Sequence, residues 1–114
     1  MSSPTVRSLD KLRKEGFIAE VVEKWNPHSK TRKDLFGFID IVGVKQGSTL
    51  GIQATTKGNM SSRVKKITES NNLETVLEAG WKIEVWGWWK NNKNRWEVKI
   101  HSIKGELSEP RFED

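Results

Sequence analysis

The sequence predicts a mixed α/β (α+β) domain in which a sheet is flanked by helices. Two periodicities carry that expectation. Apolar residues alternate with polar ones over 17–25, 81–89 and 95–103, the period of a strand, and recur every three to four positions over 6–15 and 59–79, the period of a helix. Short connections rich in Gly, Asn, Pro and Ser join these segments, and 114 residues are enough to bury one core.

Taken in order, a helix over 6–15 puts Val6, Leu9 and Leu12 on one side and stops at Gly16. A strand over 17–25 ends in the turn chemistry of Asn26-Pro27-His28-Ser29-Lys30. The strand over 35–44 is apolar on both faces apart from Asp40, as expected of a central strand covered on both sides. Gln46-Gly47-Ser48 turns the chain into a strand over 49–56. Asn59 or Ser61 opens a helix containing Val64 and Ile67, and Asn71 or Asn72 a second helical segment that Gly80 ends. Strands over 81–89 and 95–103 form a hairpin on Asn91-Asn92-Lys93-Asn94, with Trp81, Trp96, Val98 and Ile100 facing inward. The order is α-β-β-β-α-β-β within a domain of residues 1–104, and 105–114 form a flexible acidic tail.

Composition narrows the chemistry. Without cysteine there are no disulfides, thiolate nucleophiles or zinc–thiolate sites, and His28 and His101 are too isolated to suggest a histidine metal site. No apolar run is long enough to span a bilayer and the first residues lack the order of a signal peptide, so a cytoplasmic protein with no membrane partner is expected. The net charge of +5 favours a polyanionic partner. Five of the six tryptophans fall between Trp81 and Trp96. The run Trp86 to Trp89 suits a base-stacking platform; Trp86 and Trp88, which share a face, suit equally a dimer contact or packing beneath a helix, and packing is preferred because tryptophan is mostly buried.

The most informative residues are Asp40 and the Gln53-Ala54-Thr55 triplet. Gln53 and Thr55 are two apart on one strand and share a face. A lone carboxylate between Ile39 and Ile41 is costly unless something pairs with it. Either it serves a metal ion or a proton transfer, or it caps a strand end with backbone hydrogen bonds or a lysine partner. Asp40, the amide oxygen of Gln53, and Asp34 or Glu20 form an oxygen-rich set suited to Mg²⁺ or Mn²⁺. Asp34 is equally a surface partner for Arg32 or Lys33. After Gln53 the chain enters a helix carrying Arg63, Lys65 and Lys66, with Lys57 just before it, a cationic run that suits a phosphate backbone.

These residues resemble the PD-(D/E)xK nuclease superfamily. The likeness covers about residues 7–90 and includes Lys33 to Asp40, then Gln53-Ala54-Thr55, then Arg63 and Lys66. The stretch resembles small phage-encoded members, and Leu12 to Phe17 are similar to the helix-to-strand passage of archaeal Holliday junction resolvases. The resemblance implies a restriction-endonuclease-like α-β-β-β-α-β core with an extra C-terminal strand, and metal-dependent cleavage of DNA, including branched intermediates, by a protein that is a homodimer in several relatives. It puts Asp40 and Gln53 at the metal-binding positions and Thr55 where the family carries its lysine, so Lys57 becomes the substitute helper. Asp34 joins as a third ligand, and Arg32, Lys33, Arg63, Lys65 and Lys66 hold the DNA backbone. Gln and Thr in place of the acid and lysine also fit a protein that kept this fold, lost catalysis and binds nucleic acid or a partner.

Overall fold

The computed structural model describes residues 3–104; the acidic tail expected at 105–114 lies outside the described residues. Helix α1 (Pro4–Lys14) begins at Ser3, whose hydroxyl accepts the Val6 N–H at 3.2 Å, with Pro4 in the first turn. Strand β1 (Ile18–Val21) follows, then a separate two-stranded hairpin of β2 (Lys24–Asn26) and β3 (Thr31–Lys33). Strands β4 (Ile41–Lys45) and β5 (Ser48–Thr56) lead through a 3₁₀ turn, Lys57–Asn59, into α2 (Met60–Thr68) and α3 (Leu73–Glu78). Strands β6 (Trp81–Lys90) and β7 (Trp96–Ile103) close the chain.

The main sheet has the order β1-β4-β5-β6-β7. Its pairs are antiparallel except β5–β6, which are parallel and joined by the helical crossover. Helix α1 covers one face, where Leu12 packs with Ala19, Ile41, Leu50, Ile52, Ala54, Trp86 and Trp88. Helices α2 and α3 cover the other, where Met60, Ile67, Leu73 and Val76 meet Phe38, Ile39, Ile83 and Val85. The architecture is therefore the expected mixed α+β class, a mixed sheet with helices on both faces.

Several local expectations change. The strand expected over 17–25 is two strands in different sheets, because the chain leaves β1 at Val21 and re-pairs from Lys24 with β3. Residues 35–39 are a tight turn rather than the start of a strand. The Ile39 N–H donates to the Leu35 carbonyl, and Phe36 and Gly37 take left-handed φ values of +56° and +88°. Phe38 and Ile39 are buried from within that turn, which is why the stretch reads as apolar on both faces. The doubly covered central strand is β5, buried at every position from Leu50 to Thr55.

On α1 the apolar stripe is rotated: Val6 is exposed, and Ser8 is buried because its hydroxyl accepts the indole N–H of Trp88 at 2.9 Å. Trp86 and Trp88 pack beneath α1, so the tryptophan face considered for a dimer contact is interior. Trp96 and Ile100, expected inward, are exposed because β7 is an edge strand. Trp96 carries the Arg7 guanidinium over its ring at 3.3 Å from the centroid.

Gly87 lets the crossover pack on β6. A Cβ there would collide with the Met60 side chain and stand 2.9 Å from the Lys57 Cα, and the backbone cannot yield as a side chain can. Gly87→Ala is expected to lower unfolding stability by about 1–3 kcal/mol, measured as a shifted denaturant midpoint with an unchanged slope.

Candidate metal centre

Three carboxylates converge where β4, β5 and the 24–33 hairpin meet. Glu23 lies between β1 and β2, Asp34 follows β3, and Asp40 stands at the entry to β4; their ligand oxygens all lie within 4.8 Å of one another. The backbone secures Asp40 on both sides: its N–H donates to the Ile52 carbonyl and its carbonyl accepts the Val22 N–H, each at 2.8 Å. Its side chain is 5% exposed. Oδ2 accepts the Ala54 N–H and Oδ1 accepts the Gln53 side-chain amide, both at 2.9 Å.

Gln53 occupies the middle of the site. Its Nε2 donates to Asp40 Oδ1, to the Phe38 carbonyl at 3.1 Å and to Asp34 Oδ2 at 3.2 Å. Its Oε1 accepts from the Arg63 guanidinium at 3.3 Å. Three acceptors around one nitrogen and a guanidinium facing the oxygen leave only this amide orientation. The side chain expected to offer an oxygen to a metal therefore offers N–H groups to the carboxylates.

The electrostatics follow from burial and crowding. Loss of solvent pushes the Asp40 carboxyl up from the ordinary 3.8 to about 7. The Ala54 N–H pulls the other way, while Asp34, by charge and by hydrogen bonding, and Glu23, by charge, raise it further. Cations rim the cluster: Lys66 Nζ lies 3.3 Å from Asp34 Oδ2, and Arg32 lies 3.9 Å from Glu23. Arg63 and Lys66 are three apart on α2, which sets both toward the carboxylates.

The structure thus brings together Asp34, Asp40, Gln53, Arg63 and Lys66. Thr55 is buried further along the same face of β5, opposite Gly87. Lys57 points elsewhere: β5 ends at Thr56, and the lysine's ammonium lies over the Trp89 ring, 4.2 Å from its centroid. Glu20 is exposed on β1, and the third carboxylate is Glu23, a residue the strand periodicity did not single out. The signal available for Glu23 was position, since it and Asp34 flank the turn-bearing segment 24–33.

A divalent oxygen-preferring cation fits this donor set: the oxygens are close, partly dehydrated and repel one another, and burial with the neighbouring acids raises the Asp40 carboxyl to about 7. Without a cation, the folded protein binds that proton more tightly than the unfolded chain does. The associated stability is fully present below the ordinary carboxylate value of 3.8 and is lost as pH rises through about 7. Asp40→Asn, which cannot ionise, should melt above the wild type at pH 8 in EDTA. That advantage, on the order of 4 kcal/mol or less, should vanish as the pH falls to 4 in a calorimetric series.

Among the described residues no helix is long and apolar enough to cross a membrane. In comparisons with known proteins, no family model matches the chain and no curated protein matches it.

Proposed function

We propose that the protein is a Mg²⁺- or Mn²⁺-dependent nuclease that hydrolyses phosphodiester bonds in DNA. The observation that carries this reading is the Glu23–Asp34–Asp40 cluster with its cationic rim of Arg63 and Lys66. The succession of helix, three antiparallel sheet strands, helices and a parallel strand supports the likeness to the PD-(D/E)xK core, with the 24–33 hairpin as an insertion after the first sheet strand.

Asp40, Asp34 and Glu23 would hold the cation, whose contribution is to polarise the phosphate and lower the pKa of a bound water. Cation binding expels the proton held on Asp40, so affinity should rise as pH passes through about 7. Lys66 takes the place first given to Lys57: it is the ammonium already on the acidic cluster, 3.3 Å from Asp34, and it can turn to a phosphate held there. Arg63 positions Gln53 through its Oε1 and presents a second cation to the same phosphate. Arg32, Lys33 and Lys65, all exposed, extend the positive surface on which the DNA backbone lies.

A second reading, a nuclease fold that binds nucleic acid without cutting it, is favoured by one observation. The Gln53 amide already bridges Asp34, Asp40 and the Phe38 carbonyl, doing part of a cation's work. An Mn²⁺-dependent cleavage assay on linear and branched DNA separates the two. Asp40→Ala should lose about 100-fold or more in rate, and Lys66→Met about 100-fold, while Lys57→Ala retains most activity. DNA binding by the wild type with no cleavage in Mn²⁺ would instead support the non-catalytic reading.

A further inference from the structure

The β2–β3 hairpin has no part in the core. Residues 24–33 are all exposed, and they include Lys24, Lys30, Arg32 and Lys33 but no acid. A lone two-stranded hairpin is marginal by itself, and this one is stiffened at its tip. At its tip, Asn26 Oδ1 accepts the N–H groups of His28 at 2.9 Å and Ser29 at 3.4 Å, and the Ser29 and Thr31 hydroxyls pair at 2.7 Å. At its root, Lys24 faces Lys33, and the residues just outside that pair are Glu23 and Asp34, two of the three carboxylates of the candidate centre.

Trp25 is the unexplained residue on this arm. Trp86 and Trp88 are buried with their N–H groups bonded to Glu84 and Ser8, Trp81 packs edge-on against Phe36, Trp89 lies under Lys57, and Trp96 lies under Arg7. Trp25 is 56% exposed, and among the described residues its ring has no aromatic or cationic partner. It stands directly across from Arg32, so the two side chains share one face of the ribbon. Arg32 reaches within 3.9 Å of Glu23, which puts that face on the side of the carboxylates. Two residues of extended chain place Trp25 about 7 Å along the strand from Glu23.

We propose that the 24–33 hairpin is a clamp for DNA with unpaired bases, in which Trp25 stacks on a base next to a phosphate held through a cation at Glu23, Asp34 and Asp40, and Arg32, on the same face of the ribbon, holds the flanking backbone. An indole stacks fully only on a base whose face is open, as in a single strand, a flap or a branch point, because neighbouring pairs cover the faces inside a continuous duplex. Solvation alone accounts for the lysines of this arm; it does not account for an indole set beside Arg32 on the side of the site. The inference rests on the nucleic-acid reading of that site and names its substrate class.

Fluorescence anisotropy in Ca²⁺ tests it, with a labelled oligothymidylate strand and the same strand annealed into a continuous duplex. The wild type should bind the single strand more tightly. Trp25→Ala should weaken single-strand binding about tenfold or more and leave duplex binding unchanged, with Trp25→Phe restoring most of the loss. Arg32→Gln should weaken both complexes alike and flatten their salt dependence. Equal binding of the strand by wild type and Trp25→Ala, or an equal loss on both DNAs, overturns the clamp. The nuclease reading fails separately: absence of Asp40-dependent cleavage alongside a strand-specific Trp25 effect removes the enzyme and keeps the clamp, and the reverse pattern removes only the clamp.

Discussion

Asp40 is 5% exposed and shares its surroundings with two other carboxylates, and the elements around it are arranged to make that burial tolerable. The backbone of β5 donates through Ala54, the side chain of the next residue back donates through its amide, and α2 brings Arg63 and Lys66 to the rim. Each partner depends on a larger feature. The Ala54 contact requires the antiparallel register of β4 and β5, the Gln53 contact requires that face of β5 to be turned toward α2, and the cations require α2 to follow β5 directly. The 35–39 turn then carries Asp34 back to within reach of both Gln53 and Lys66.

Gln53 gives the centre its particular character. A glutamate in its place would add a fourth carboxylate and depend on a metal for its neutralisation. The glutamine instead donates to two carboxylates while its oxygen is occupied by Arg63. The cluster is thereby held together in the absence of a cation, while burial, with the charges of Asp34 and Glu23 adding to it, raises Asp40 to about 7. Such a centre suits conditional occupancy, with cation and proton competing for one group. The 24–33 hairpin begins and ends beside the same cluster, at Glu23 and Asp34.

Much of the framework was legible because it is written in local periodicity. The alternation over 81–89 and 95–103 marks β6 and β7, and the turn at Asn91–Asn94 separates them. The spacing of Gln53 and Thr55 places both on one face of β5, and Asp40 and Gln53 meet at 2.9 Å as their strands pair. What was not legible depended on partners distant in sequence. Alternation through 17–25 conceals the change of sheet, because β1 and β2 have the same period and differ only in which strand receives their hydrogen bonds. Phe38 and Ile39 read as strand residues because a buried turn and a buried strand have the same composition. Trp96 alternates correctly for the interior, but it stands on the edge strand, where the Arg7 side chain of α1 lies over its ring and leaves it 43% exposed.

By itself, then, the sequence determined the α+β class, the shared face of Gln53 and Thr55 and the pairing of Asp40 with Gln53, since these follow from backbone period and from the high cost of burying a charge alone. Tertiary structure decided that Glu23 rather than Glu20 completes the carboxylates, that Lys66 rather than Lys57 stands beside them, and that Gln53 turns its nitrogen inward. The reason is geometric. Residues adjacent in sequence part company where β5 ends and a 3₁₀ turn swings Lys57 onto Trp89, whereas residues 32 positions apart, Asp34 and Lys66, are brought together by the docking of α2 on the sheet.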